Sequence, residues 1–269
     1  MGGVAELLAD ADRPGGWLLL LDRIRQSYVD LDDPGYLDFE YVQAFADVLD
    51  ALPPGPLAVT HVGGGGCTMA RYVAATRPGS PQIVLEPDVV LTALVRAHLP
   101  FSREARVRIR PLDGRAGVRG LKAGSADVVV LDAFHGGRVP AELTTAEFMA
   151  DVARVLRPSG VLLANVADGP PGTFVRRLVS TVRAALPSVL LVADPAVLKQ
   201  RRFGNVVLAA ARSDLPVEAV TRAASGAPFP RRVITGRGLR EFTGGAAPLT
   251  DADPMRSPQP PDEIWRVAD

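Results

Sequence analysis

Cysteine is almost missing from this chain. Cys67 is the single one in 269 residues, which excludes an internal disulfide and a cysteine-rich zinc site and suits a reducing compartment. Net charge is missing too. Lys+Arg and Asp+Glu both count 30, so no overall field draws the molecule to nucleic acid or to an anionic membrane, and neither is expected as a partner. Lysine is scarce: Lys122 and Lys199 are the only two, which with abundant Ala, Gly and Pro suggests a GC-rich bacterial genome rather than a special role for arginine. Long apolar runs are absent. Trp17–Leu21 is the most apolar N-terminal stretch, far too short to span a bilayer, and no basic leader with a small-residue cleavage site accompanies it. The expectation is a cytoplasmic chain without a targeting segment. His-x-x-His, Cys-x-x-Cys, ligand-spaced carboxylate clusters and Gly-x-Ser-x-Gly are all absent, so neither a metal nor an activated serine is expected.

What is present is an alternation of short apolar runs and helix-length segments. With 47% hydrophobic residues, the chain can bury one large core, or one core and a small appendage. Trp17–Leu21 and the stretch from Ile24 through Gln26 and Tyr28 to Leu31 read as one or two short strands about a polar turn at Asp22-Arg23. Leu37 to Leu52 has helical spacing and stops at Pro53-Pro54-Gly55-Pro56. Strand-like runs follow at Leu57–Val62, Gln82–Glu86, Val107–Arg110, Asp127–Asp132, Val161–Val166, Val189–Ala193 and Val206–Ala210. Between them lie helical segments at Cys67–Ala75, Val89–His98, Thr145–Leu156 and Thr173–Leu186, the third capped by Thr144 or Thr145 and closed by Pro158-Ser159-Gly160.

Only Pro195 to Gly204 separates the last two strands, so an antiparallel edge hairpin is expected. The expected architecture is α/β: a Rossmann-like methyltransferase fold whose seven-stranded, mostly parallel sheet ends in that hairpin, with a small N-terminal β region. The division read from the pattern is 1–52 for the β/helix region, 53–211 for the Rossmann-like domain and 212–269 for a helical or irregular tail. Helices are expected near Val217–Ala224 and Gly236–Phe242, and the Pro- and Asp-rich stretch from Ala246 to Pro261 either wraps the surface or stays mobile.

Four features fall at the carboxyl ends of successive strands, where open α/β sheets bind ligands. The first is the turn Gly63-Gly64-Gly65-Gly66, whose residues lack Cβ atoms and let a ligand approach the backbone. The second is Glu86 with Asp88. Glu86 follows the glycines by about 20 residues, the spacing at which an acidic side chain accepts hydrogen bonds from both ribose hydroxyls. The third is Asp113-Gly114, where Asp113 could accept an exocyclic adenine amine, and the fourth is Asp132-Ala133-Phe134-His135, where a cation or amine could be held. Each has a plainer reading as a tight turn or helix cap. Their order and spacing favour a nucleoside pocket.

These motifs, with Leu21-Asp22 and Gln26 ahead of them and Pro140-Ala141 behind, resemble the spermidine synthase, or polyamine aminopropyltransferase, family. The resemblance runs from about Leu18 to Ala210. It implies that Gln26, Gly63, Gly64, Gly65, Glu86, Asp113, Gly114 and Asp132 bind decarboxylated S-adenosylmethionine, that Asp132 and His135 act on a small amine acceptor in polyamine biosynthesis, and that a homodimer forms. His135 stands where the family has its second Asp; Gly66, Cys67 and Thr68 replace Asp-Gly-Gly; Phe39 replaces a His; and Phe148 replaces a Tyr. The adenosyl side is kept better than the amine side. Two other readings remain, a methyltransferase using intact S-adenosylmethionine and a non-catalytic adenosyl-binding homologue. His61 is expected in the core, His98 at a helix end, and Asp30, Asp32 and Asp33 in a solvated loop or an amine-attracting rim.

Overall fold

The computed structural model describes residues 3–261. Three strands, β1 (Ala5–Ala9), β2 (Gly16–Leu21) and β3 (Ile24–Asp30), form an antiparallel sheet in that order. At the turn between β2 and β3, Asp22 and Arg23 both take positive φ, 50° and 65°, the geometry whose twist matches a two-residue hairpin. β1 is an addition to the sequence reading. Its Ala-Glu-Leu-Leu-Ala carries no β-branched residue, and pairing with β2 in a register that sets Leu7 opposite Leu19 overrides its local preference.

Helix α1 (Glu40–Asp50) leads into the central sheet. It starts three residues later than its periodicity implies, because Phe39 is extended. The sheet comprises β4 (Val59–Val62), β5 (Gln82–Leu85), β6 (Val107–Arg110), β7 (Ala126–Leu131), β8 (Leu156–Asp168), β9 (Ser188–Ala193), β10 (Gly204–Ala211) and β11 (Arg232–Thr235). Its order is β11-β9-β10-β8-β7-β4-β5-β6. β4 to β8 pair in parallel, while β8–β10, β10–β9 and β9–β11 are antiparallel. All seven expected strands are in place in a methyltransferase-type doubly wound sheet. Two details differ. An eighth strand, β11, extends the sheet, and the β9–β10 pair therefore lies inside the edge. β11 is four partly exposed residues between Pro230 and Gly236, too short to register as a pattern.

Helices α2 (Thr68–Thr76), α3 (Val89–His98), α4 (Gly114–Arg119), α5 (Ala146–Val155), α6 (Thr173–Ala185), the single turn α7 (Pro195–Leu198), α8 (Val217–Ser225) and α9 (Gly236–Thr243), with a 3-10 turn at Ala141–Leu143, complete the elements of the described residues. Alternation along the buried strands feeds both faces. Val129 and Leu131 pack with α5, α6 and α9 side chains such as Phe148, Leu178 and Leu239. Val128 and Val130 pack with α1, α2 and α8 through Phe45, Val73 and Val220. Leu19 and Val29 of the small sheet pack on Leu91, Val95 and Leu99 along α3, which fixes that sheet over the β4–β5 side.

Pro158-Ser159-Gly160 does not close α5 as a loop. The helix stops at Val155 and β8 begins at Leu156, which is extended at φ −66°, ψ 138°. The register against β7 steps from Ala126↔Leu156 to Val128↔Val161, so a bulge absorbs the Pro-Ser-Gly segment. Thr145 caps α5 by accepting from Phe148 N–H.

The stretch from Ala246 to Pro261 wraps the surface. Leu249 is fully buried and its N–H donates to Thr181 Oγ1 at 2.7 Å, Arg177 binds the carbonyls of Ala247 and Pro248, and Arg138 Nε donates to Ser257 O at 2.6 Å. Residues 262–269 of the expected tail lie outside the described residues. Among the described residues no helix is long and apolar enough to cross a membrane.

Candidate active site

Strand order reverses at β4: the chain runs outward through β5 and β6, then crosses to β7 on β4's other side. Ligands of open α/β sheets sit in the crevice above such a reversal. A cleft of about 840 Å³ opens there, and Gln26, Gly63, Gly64, Gly65, Glu86, Asp113, Gly114, Asp132 and His135 all line it.

Its floor is the glycine turn. Gly63 has φ +98°, and a Cβ there would stand 2.2 Å from the carbonyl oxygen of Asp132. At Gly64 a Cβ would meet the Glu86 side chain at 3.0 Å. The turn is clasped from the small sheet, since Gly66 N–H donates to Ser27 Oγ at 2.9 Å and Thr68 Oγ1 to Tyr28 O at 2.9 Å.

Glu86 is aimed by two backbone donors. Oε2 accepts from Gly64 N–H at 2.8 Å and Oε1 from Asp88 N–H at 2.9 Å. Each carboxylate oxygen keeps acceptor capacity for a ligand hydroxyl. Asp88 is already engaged, accepting from Val90 and Leu91 N–H as the cap of α3. Asp113 caps α4 by accepting from Ala116 N–H at 2.9 Å and is exposed at the cleft rim. Gly114 packs against Val62, where a Cβ would lie 2.4 Å from Cγ1.

On the other side of β4, Asp132 follows β7. Its Oδ1 accepts from Asn165 Nδ2 at 2.9 Å and its Oδ2 from the Tyr41 hydroxyl at 3.1 Å. Burial pushes the carboxyl up to about 6, although both donors favour the ionised form. The same burial, beside Asp132, holds the Tyr41 phenol well above its ordinary value, so Tyr41 is a fixed donor.

Neither Tyr41 nor Asn165 was among the sequence candidates. Tyr41 reads as one more apolar residue of α1 and packs tilted against Phe39 and edge-to-face against Phe45, with ring centres 6.0 and 5.9 Å apart. Asn165 did leave a signal: an amide inside the apolar run Val161–Val166 must find a partner when buried.

His135 is exposed and opens the tight turn His135-Gly136-Gly137-Arg138, closed by reciprocal backbone bonds of 2.8 and 3.2 Å. Behind that turn Ser257, fully buried, accepts Val139 N–H on its Oγ at 2.8 Å.

Other candidates serve the structure instead. Asp30, Asp32 and Asp33 do not line the cleft, which removes the rim reading. Asp30 is buried, pairs with Arg13 at 2.7 Å and accepts from the N–H groups of Asp32 and Asp33. His61 is buried against Gln82 Oε1 at 2.8 Å, and burial pushes it down to about 4. Burial pushes the Cys67 thiol up to about 12, far from a nucleophile's range. His98 is exposed at the end of α3, and Phe148 is buried in the core.

No protein-family profile matches the chain. A polyamine aminopropyltransferase of Chromobacterium violaceum is 30% identical over 158 residues, 58% of this chain and 60% of that protein, so the match spans less than two thirds of the relative's length. The crystal structure of a probable spermidine synthase from Corynebacterium glutamicum superposes with a TM-score of 0.87 at 32% identity, covering 93% of both chains. A spermidine synthase in complex with the transition-state analogue AdoDATO superposes with a TM-score of 0.61 at 16% identity, over 91% of this chain and 81% of that one, a likeness of fold.

Proposed function

This chain belongs to the spermidine synthase family, and we propose that it is an aminopropyltransferase of polyamine biosynthesis, taking decarboxylated S-adenosylmethionine as donor and a small amine as acceptor. The observation that carries the reading is Glu86, anchored by Gly64 N–H at one side of the reversal point, with Asp132 at the other. Glu86 accepts the ribose hydroxyls, Asp113 and Gly114 border the adenine, and Gly63 to Gly65 with Gln26 border the sulfonium arm.

The transfer needs alignment more than activation, because the sulfonium already polarises the methylene beside it. The acceptor nitrogen forms its bond to that carbon, the carbon–sulfur bond breaks with its pair going to sulfur, and methylthioadenosine leaves. One proton must depart from the acceptor ammonium. Asp132, fixed between Tyr41 and Asn165, holds the amine, and His135 at the mouth receives the proton. Of the two family positions that differ, His135 falls on this acceptor side, whereas Phe148 is buried in the core and does not line the cleft.

Mass spectrometry after incubation with the decarboxylated donor and amines tests the reading. An aminopropylated product that disappears in His135→Ala and Asp132→Asn supports it. A methylated acceptor from intact S-adenosylmethionine would instead make the chain a methyltransferase. Cytoplasmic location and a homodimer complete the proposal; Leu8 of the outer strand β1 and Val4 just before it are exposed, at a sheet edge that a second copy would cover.

A further inference from the structure

Beyond Asp132 the cleft continues under β8, β10, β9 and β11, where Asn165, Asn205, Asp194, Arg202 and Arg231 line it. A diamine carries a second ammonium that must find a carboxylate there, because an uncompensated buried charge is costly. The carboxylates at that end are already engaged or wet. Asp132 accepts from two donors. Asp194 caps Ala196 N–H at 2.6 Å and pairs with Arg202 at 3.0 Å. Glu40 is exposed at the mouth, where solvent screens its charge.

One buried charge at this end is a guanidinium, held against the carboxylate of Asp47. The Arg231 side chain is 6% exposed, with a nitrogen 3.2 Å from Asp47 Oδ2. It also donates to Glu40 O at 3.3 Å. The pairing leaves capacity on both partners: among the described residues Arg231 Nε has no acceptor and Asp47 Oδ2 has no hydrogen bond of good geometry. Arg231 lines the cavity, and a guanidinium with one ion pair can take a second carboxylate in planar, charge-assisted fashion. Its position relative to the amine follows from α1. Arg231 reaches the Glu40 carbonyl at the first residue of that helix, and the next residue, Tyr41, holds Asp132.

We propose that Arg231 receives the carboxylate of an ω-amino acid whose amine sits at Asp132, so that the acceptor is a carboxylate-bearing amine rather than a free diamine. The inference rests on the aminopropyltransferase reading and narrows its acceptor. β7 and β11 are four strand spacings apart, roughly 19 Å, and the Arg231 side chain spans part of that gap by reaching the Glu40 carbonyl on α1, which favours an extended acceptor. The bond chemistry is unchanged: nitrogen joins the methylene, the carbon–sulfur pair goes to sulfur, and the acceptor ammonium releases one proton.

The test is calorimetry on the full chain saturated with methylthioadenosine, titrated with 6-aminohexanoate, γ-aminobutyrate, cadaverine and putrescine. The amino acids are expected to bind at least tenfold tighter than the diamines of similar length. That preference is expected to persist in Arg231→Lys and to vanish in the paired variant Arg231→Met with Asp47→Leu, which removes both buried charges together so that the fold is kept. Tighter diamines, or a preference the paired variant leaves untouched, would overturn the inference while sparing the adenosyl reading. Arg231-dependent binding of intact S-adenosylmethionine, with no such dependence for the decarboxylated donor, would assign the carboxylate to the donor and overturn it as well. Failure of methylthioadenosine to bind the unmodified chain would remove the adenosyl reading and this inference with it, a failure seen before any amine is added.

Discussion

Tyr41 and Asp132, 91 residues apart, meet across the cleft in a 3.1 Å hydrogen bond that joins the first turn of α1 to the end of β7. The phenol donates and the carboxylate accepts, so Tyr41 stabilises the ionised form of a group that burial pushes up to about 6. Tyr41→Phe should therefore raise the Asp132 pKa further. The acid limb of the pH–rate profile should move to higher pH, and kcat/KM at pH 6 should fall by about tenfold or more, as expected for losing one hydrogen bond to a charged group.

The same carboxyl has a cost in stability. Its folded pKa, about 6, lies above the ordinary value near 4, so the folded state binds the proton more tightly than the unfolded chain. The contribution of this one group to stability is then full below pH 4 and is lost as pH rises from about 4 through 6, by at most about 3 kcal/mol. Asp132→Asn should be inactive yet more stable than the parent at pH 7, with the difference shrinking toward pH 4. Urea unfolding at several pH values checks both the sign and the window.

Glu86 should be separable from the acceptor chemistry. Glu86→Ala removes the acceptor proposed for both ribose hydroxyls and frees Gly64 N–H. Two charge-assisted bonds are worth about 1.5–3 kcal/mol each, so methylthioadenosine affinity should fall at least 100-fold, read by calorimetry.

Two glycines with similar backbone angles should respond differently to alanine. At Gly63 the φ of +98° is compounded by a Cβ 2.2 Å from Asp132 O, whereas at Gly55, φ +111°, a Cβ meets nothing within 4 Å. Gly55→Ala should cost only backbone strain, about 1–2 kcal/mol. Gly63→Ala should cost clearly more and should also displace Asp132, measurable as lost stability in urea together with lost ligand binding.

The surface strap gives a prediction away from the cleft. Ser257→Ala leaves Val139 N–H buried without its 2.8 Å acceptor, a loss of about 1–3 kcal/mol. Amide exchange should accelerate at Val139 and along the His135 turn, while exchange in β4 stays slow.

The parallel half of this fold was legible because Val128 to Leu131 and their neighbours are apolar on both faces and are punctuated by glycine and proline. β1 was hidden because its five residues include no β-branched one and become a strand only by pairing, and β11 because its four residues, although β-branched in three places, are too short to register as a pattern. Pro158-Ser159-Gly160 reads as a helix stop, yet a bulge carries it into β8. In the cleft, the glycine turn and Glu86 announced themselves through spacing, as did Asp132. Tyr41, Asn165 and Arg231 did not, because their partners lie 91, 33 and 184 residues away, and no local pattern encodes such meetings. The acidic run Asp30 to Asp33 was legible in part: Asp32 and Asp33 are exposed, as a solvated loop requires, whereas Asp30 is buried, pairs with Arg13 and accepts from both of their N–H groups.

The most direct test is calorimetric titration of the unmodified chain with methylthioadenosine, decarboxylated S-adenosylmethionine and S-adenosylmethionine. The expected result is binding of the first two with the decarboxylated donor preferred over the intact one. Preference for intact S-adenosylmethionine would contradict aminopropyl transfer, and binding of none of the three would contradict the assignment of this cleft to an adenosyl ligand.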